Sequence, residues 1–150
     1  MYQLNLPVFD YKLKKADGKV WIFDVIRKKY VVITPEEWVR QHFIHYLITH
    51  FKYPRSLVKV EGGLIYNKLQ KRSDILVFDR EGNPWMIVEC KAPTLLLSEN
   101  TLRQAAVYNA TLKAKYLTVT NGLMYVCSAT DWAQGTTVVL EELPIYEEGI

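Results

Sequence analysis

The sequence predicts an α/β fold, a mixed central sheet flanked by helices, with an extra amino-terminal β-hairpin. Three observations predict it. Short β-rich apolar runs recur between turn signals along most of the chain. Two stretches, opening near Thr34 and Thr101, carry helical spacing instead. The resulting order is β-hairpin, helix, three strands, helix, then two or three strands.

Asp17-Gly18 is a hairpin turn between Tyr11–Lys15 and Lys19–Asp24, and Tyr30–Ile33 is a third β-rich run. Thr34 caps the first helix, with Pro35 at its first position and Glu37 at the spacing of a capping box. Val39, Phe43, Tyr46, Leu47 and His50 fall on one face of that helix. Glu36 lies at the edge of this stripe, one turn before Arg40, and Glu37 points further round, so Glu36 is the one placed for a site. The plainer alternative for Glu36 is an exposed ion pair with Arg40. His42 and His45 lack a carboxylate that would complete a metal set, and read as surface or packing residues.

Ser56–Glu61 reads as a strand, broken by Gly62-Gly63, and Leu64–Lys71 as a basic extended turn. Thr101–Lys113 is the second helix. Tyr116–Thr120 and Met124–Cys127 pair around the Asn121-Gly122 turn, and Thr137–Leu140 adds an edge strand. The spans expected are a β extension at 1–33, a core at 34–128 and an acidic, partly ordered tail at 141–150, all within one domain.

Composition narrows the class. A 150-residue chain with 49% hydrophobic and 23% charged residues suits one globular domain with a real core. No apolar run approaches the ~20 residues that span a bilayer, and the first residues lack the regions of a signal peptide. Cys90 and Cys127 are too few for a disulfide framework, and read as reduced core thiols of a cytoplasmic protein. The net charge of +3 permits a nucleic-acid partner without calling for one. Lys12-Lys14-Lys15-Lys19 and Arg27-Lys28-Lys29 read equally well as solvated clusters. Lys68, Lys71 and Arg72 lie just before Asp74 and are the better phosphate contacts.

The chemistry gathers in Arg72–Pro93, two apolar runs joined by the turn Asp79–Pro84. Asp74 opens the first run, and Glu89 and Lys91 close the second. Strand alternation puts Trp85, Ile87, Glu89 and Lys91 on one face, and Met86, Val88 and Cys90 on the other. Carboxylates drawn together repel until one protonates or a cation binds. Mg2+ (or Mn2+) suits Asp74 and Glu89, with the Cys90 backbone carbonyl in reach and Glu36 a further candidate ligand. Lys91 would orient an attacking water and offset charge on a phosphate.

These residues resemble the PD-(D/E)xK nuclease superfamily, whose pattern is an acidic residue, a hairpin, then (D/E)-x-K. Gln104-Ala105-Ala106-Val107-Tyr108 is similar to the Q-x-x-x-Y motif of one branch. Pro35–Gln41, Glu89–Pro93 and Thr120-Asn121-Gly122 resemble, in order, the amino-terminal domain of type I restriction enzyme R subunits. The resemblance runs from about Thr34 to Val126. It implies a restriction-endonuclease-like core and catalytic roles for Asp74, Glu89 and Lys91. Gln104, Tyr108 and Arg72 would then hold the substrate. On the residues alone, Gln104 is also read as solvated and Tyr108 as packing.

The expected function is Mg-dependent DNA endonuclease activity, without a helicase motor, since no G-x-x-x-x-G-K-[ST] loop occurs. Expected partners are DNA and other restriction-modification subunits, with a homodimer left open and no membrane. The alternative is a non-catalytic nucleic acid-binding or assembly module that retains the nuclease fold.

Overall fold

Turn chemistry divides the β-rich runs into two sheets. The computed structural model of the protein describes residues 1–61 and 74–146, with Glu61 and Asp74 described by their backbone alone. Strands β1 (Leu13–Ala16), β2 (Lys19–Asp24) and β3 (Lys29–Val32) form a three-stranded antiparallel sheet. Strands β4 (Val58–Glu61), β5 (Asp74–Phe78), β6 (Pro84–Cys90), β7 (Tyr116–Thr120), β8 (Tyr125–Asp131) and β9 (Thr136–Leu140) form a six-stranded sheet in chain order. All of its neighbouring pairs are antiparallel except β6 and β7, which run parallel. A parallel pair needs a crossover, and helix α2 (Glu99–Leu112) lies in it. The other helix, α1 (Pro35–His45), continues into a π-helical turn over Tyr46–His50. The mixed sheet, the two helices and the amino-terminal hairpin expected from the sequence are all present.

Local signals explain the boundaries. Thr34 Oγ1 accepts from the Glu37 backbone N–H at 3.0 Å and opens α1. The reciprocal half of a capping box is not what Glu37 makes, because its carboxylate bonds Arg27, Arg40 and Gln41. Asp79 Oδ1 accepts from the Glu81 and Asn83 backbone N–H groups, closing the β5–β6 hairpin. Helix α2 starts at Ser98, whose Oγ accepts from Thr101 N, and ends at Lys113 in the left-handed conformation.

The sheet buries both faces. On one, Ile75, Val77, Met86, Val88 and Cys90 pack with Val39, Phe43, Ile44 and Leu47 of α1 and its π turn. On the other, Leu76 and Ile87 pack with Ala105 of α2 and with Leu117 and Val119 of β7. Period-2 alternation thus assigns Ile87, Met86, Val88 and Cys90 to the faces expected. Trp85 is the correction. The register shifts between Val77 and Phe78, so that Met86 opposes Val77 while Pro84 opposes Phe78. A bulge breaks alternation at the extra residue. Trp85 therefore packs with the α1-side cluster, against Tyr53, Tyr116 and Tyr146.

The chain ends are better packed than their composition suggests. Leu143 and Tyr146 of the acidic tail are buried, and Tyr53 Oη donates to the Pro144 carbonyl at 2.6 Å. The last four residues of that tail lie outside the described residues. At the other end, Trp38 Nε1 donates to the Tyr2 carbonyl, and Asn5 N donates to the Gly122 carbonyl. Gly122 has φ +84°, and a Cβ there would meet Leu4 Cδ2 at 2.8 Å and Val39 Cγ2 at 3.1 Å. Left-handed backbone costs an ordinary residue about 1–2 kcal/mol. Gly122→Ala is therefore expected to lower the melting temperature by roughly 3 °C or more. Unchanged thermal melts would show that the loop relaxes freely.

Candidate active site

The hairpin register brings the site together. Asp74 and Glu89 are paired directly across β5 and β6. Glu89 is 2% exposed, and Lys91 Nζ lies 3.7 Å from its Oε2. That separation makes an ion pair without a hydrogen bond, in a setting where an uncompensated carboxylate would be costly. The Lys91 backbone N–H donates to the Thr120 carbonyl at 2.8 Å. The parallel neighbour β7 therefore sets where Lys91 leaves the sheet. Both strands present their carboxyl ends here, the end at which open α/β sheets bind ligands.

Asn121 organises the same end. It is 2% exposed, its Oδ1 accepts from Leu123 N and Met124 N, and its Nδ2 donates to the Leu95 carbonyl at 2.8 Å. It thereby ties the loop after β7 to the loop after Lys91. The sequence marks Asn121-Gly122 as a turn, and nothing local in it signals this second bond.

The other candidate residues are distributed as follows. Arg72, with Lys68 and Lys71, lies outside the described residues. Cys90 buries its side chain in the α1-side cluster, which leaves the backbone carbonyl as what it can offer a metal. Helix α2 covers the Glu89 side of the sheet through Ala105, which packs with Ile87. Gln104 is exposed and Tyr108 is 5% exposed, although they sit one turn apart. Tyr108 joins neither apolar cluster of the described residues. Tyr108→Ala is expected to cost ~3–5 kcal/mol in urea unfolding, and Gln104→Ala less than ~0.5 kcal/mol. A neutral Tyr108→Ala would mean that its ring is not packed.

The burial of Glu36 and Glu37 is the reverse of what helical spacing predicts. It is exposed in the first turn of α1, and Glu37 is the buried one of the pair. Ideal helical spacing put Glu36 nearer the apolar stripe, but cations on two elements pull Glu37 inward. Its Oε2 accepts from Arg27 Nη2 at 2.9 Å, and its Oε1 accepts from Arg40 Nη1 at 2.9 Å. Gln41 Nε2 donates to both Glu37 and Asp24. Asp24 also accepts from Arg27 Nε at 2.6 Å and from the backbone of Ile26 and Arg27. Burial pushes the Asp24 carboxyl up, but the Arg27 backbone bond and charge outweigh it and hold the carboxyl below its ordinary value. Two carboxylates and two guanidiniums thus join the β2–β3 turn to α1. Arg27 belongs to this network rather than to a solvated basic cluster. The i, i+3, i+4 spacing of Glu37, Arg40 and Gln41 was the signal that could have found it.

His42 and His45 are packing residues. His42 Nδ1 lies 2.8 Å from the Trp38 carbonyl, and Phe9 stacks on His45. Burial lowers the pKa of both imidazoles. Cys90 and Cys127 are buried free thiols. Among the described residues, no group of three or more His, Cys, Asp or Glu side chains forms a ready metal cage. Glu89 is nonetheless a hard oxygen donor of the kind Mg2+ takes. No helix of the described residues is long and apolar enough to cross a membrane.

Comparison with curated proteins gives no match. A family model, type I restriction enzyme R protein N terminus (HSDR_N), matches residues 35–144. The match takes in α1, the whole six-stranded sheet and α2, and so includes Asp74, Glu89 and Lys91. The chain belongs to the family of type I restriction enzyme R protein amino-terminal domains.

Proposed function

We propose that this domain is a Mg2+- or Mn2+-dependent DNA endonuclease that hydrolyses phosphodiester bonds, acting in the cytoplasm with other restriction-modification subunits. The observation that supports it most is the Asp74–Glu89 register pair with Lys91 Nζ 3.7 Å from Glu89. Directly opposed residues of an antiparallel pair have Cβ atoms about 4.5–5.5 Å apart, a spacing two ligands of one ion can share. Asp74 and Glu89 would hold the metal, with the Cys90 carbonyl as a third oxygen. A bound divalent ion supplies Lewis acidity toward water and phosphate. Lys91 orients the attacking water and offsets negative charge growing on the phosphate. Glu89 in turn holds the Lys91 ammonium in place. Arg72 and Gln104 grip the substrate strand.

The test is plasmid cleavage with Mg2+ or Mn2+, paired with thermal melts. Metal-dependent strand breaks are expected. Mn2+ should raise the melting temperature of the wild type by mass action and leave Asp74→Ala unmoved. DNA binding with no cutting under either metal would favour a binding module. Equal Mn2+ shifts in both proteins would remove Asp74 from the metal site.

A further inference from the structure

The two faces of the three-stranded sheet differ in chemistry. On the inner face Ile22 and Asp24 are fully buried, and Asp24 accepts from Gln41 of α1. Strand alternation puts Lys19, Trp21 and Phe23 on the outer face, with Lys14 opposite Trp21 and Tyr30 opposite Phe23. Contacts match that grouping. Phe23 and Tyr30 meet edge to face at 5.3 Å. Lys14 Nζ lies 4.5 Å from the centre of the Tyr30 ring and 5.7 Å from that of Trp21. Phe23 N donates to the Lys12 carbonyl, which continues the β1–β2 ladder and sets Lys12 beside Phe23. All three rings are half-buried, and Lys12, Lys14 and Lys19 are exposed.

Charge is segregated here as well. Residues 11–32 hold seven Lys or Arg against two Asp, whereas the rest of the chain holds 12 Lys or Arg against 14 Asp or Glu. Arg27 is tied to Asp24 and Glu37. Among the described residues no carboxylate pairs with Lys12, Lys14 or Lys19. Protein interfaces are depleted of lysine, so this face does not suit a protein partner. Flat rings edged by ammonium groups suit a nucleic acid, with bases stacked on the rings and phosphates on the lysines. A duplex buries its base faces against one another, so the rings favour a single strand. Lys14 leaves them open to that strand, because a cation over a ring is weakly held at an exposed site. A phosphate takes the ammonium as a base takes the ring.

We propose that the outer face of β1–β3 binds single-stranded DNA, stacking bases on Trp21 and Tyr30 while Lys12, Lys14 and Lys19 hold phosphates. The choice of DNA rests on the nuclease reading above, whereas the rings and charges argue for a single strand independently of it. This grip needs neither a metal nor the Glu89–Lys91 pair.

Fluorescence anisotropy of a labelled deoxythymidine oligomer in EDTA measures the grip without cleavage. Wild type should bind the oligomer more tightly than a duplex of the same length. Trp21→Leu and Tyr30→Leu keep apolar bulk but lose the flat ring. Each should weaken binding about fivefold or more and leave the salt slope unchanged. Trp21→Phe should keep most of the affinity. Lys12→Gln combined with Lys14→Gln should flatten the salt slope by about 1.4. Both lysines are exposed, so that variant tests the face without disturbing the fold, and thermal melts check the ring variants. Wild-type affinity and salt slope in the lysine variant would overturn the proposal, as would binding no tighter than to duplex. Tighter binding of a uridine oligomer would overturn the assignment to DNA. A protein that grips the oligomer through these residues yet cuts no DNA with Mg2+ would overturn the nuclease reading and uphold this face. Cutting without the grip would do the reverse.

Discussion

Lys91→Ala should lower cleavage by about 10²–10³-fold, the usual cost of removing one group that stabilises transition-state charge. Its ammonium lies 3.7 Å from Glu89 Oε2 and is anchored through the backbone bond to Thr120. DNA affinity should stay within a few-fold, because one lost phosphate contact changes the salt slope by only about 1. The loss therefore belongs in the single-turnover rate rather than in substrate binding. Lys91→Arg should not rescue it, since a planar guanidinium presents its donors differently from a compact ammonium. Glu89→Gln should be comparably damaging, through metal affinity as well as through Lys91. Cleavage by Lys91→Ala within a few-fold of wild type would take Lys91 out of the chemistry.

Asp24→Ala should destabilise the fold by about 3–5 kcal/mol, the range for breaking a buried ionic network by removing one member. Asp24 is fully buried and accepts from Arg27, from Gln41 and from two backbone N–H groups. Truncation leaves these donors to find other partners in a closed space. Urea unfolding of variant and wild type measures the difference. The network also carries a pH signature. The folded-state pKa of Asp24 is depressed, so its contribution is fully present above the ordinary carboxylate value near 4 and is lost as pH falls through the lower folded value. Acid unfolding should therefore be shallower in Asp24→Asn than in wild type below about pH 4. Parallel acid profiles would place the acid sensitivity elsewhere.

Several features were legible in the chain because they depend on neighbours in sequence. Thr34 and Pro35 announce α1, Asp17-Gly18 and Asp79–Pro84 announce hairpins, and period-2 alternation assigns Ile87 and Met86 to opposite faces. The spacing from Asp74 to Glu89 and Lys91 marked a candidate site because a hairpin converts that spacing into adjacency. Trp85 went astray because a bulge is set by the fit of two strands, and one extra residue reverses alternation.

What tertiary structure decided is where polar side chains find partners. Glu36 and Glu37 stand side by side in sequence, and helical spacing alone favoured Glu36. Arg27, ten residues before Glu37 and in the turn between β2 and β3, draws Glu37 inward instead. Likewise Asn121 reads as a turn former, while its bond to Leu95, 26 residues away, is what holds the loop beside Lys91. Local propensity is written in adjacent residues and can be read from them. A long-range hydrogen bond depends on where two distant backbones come to rest, and only the packed sheet and helices determine that.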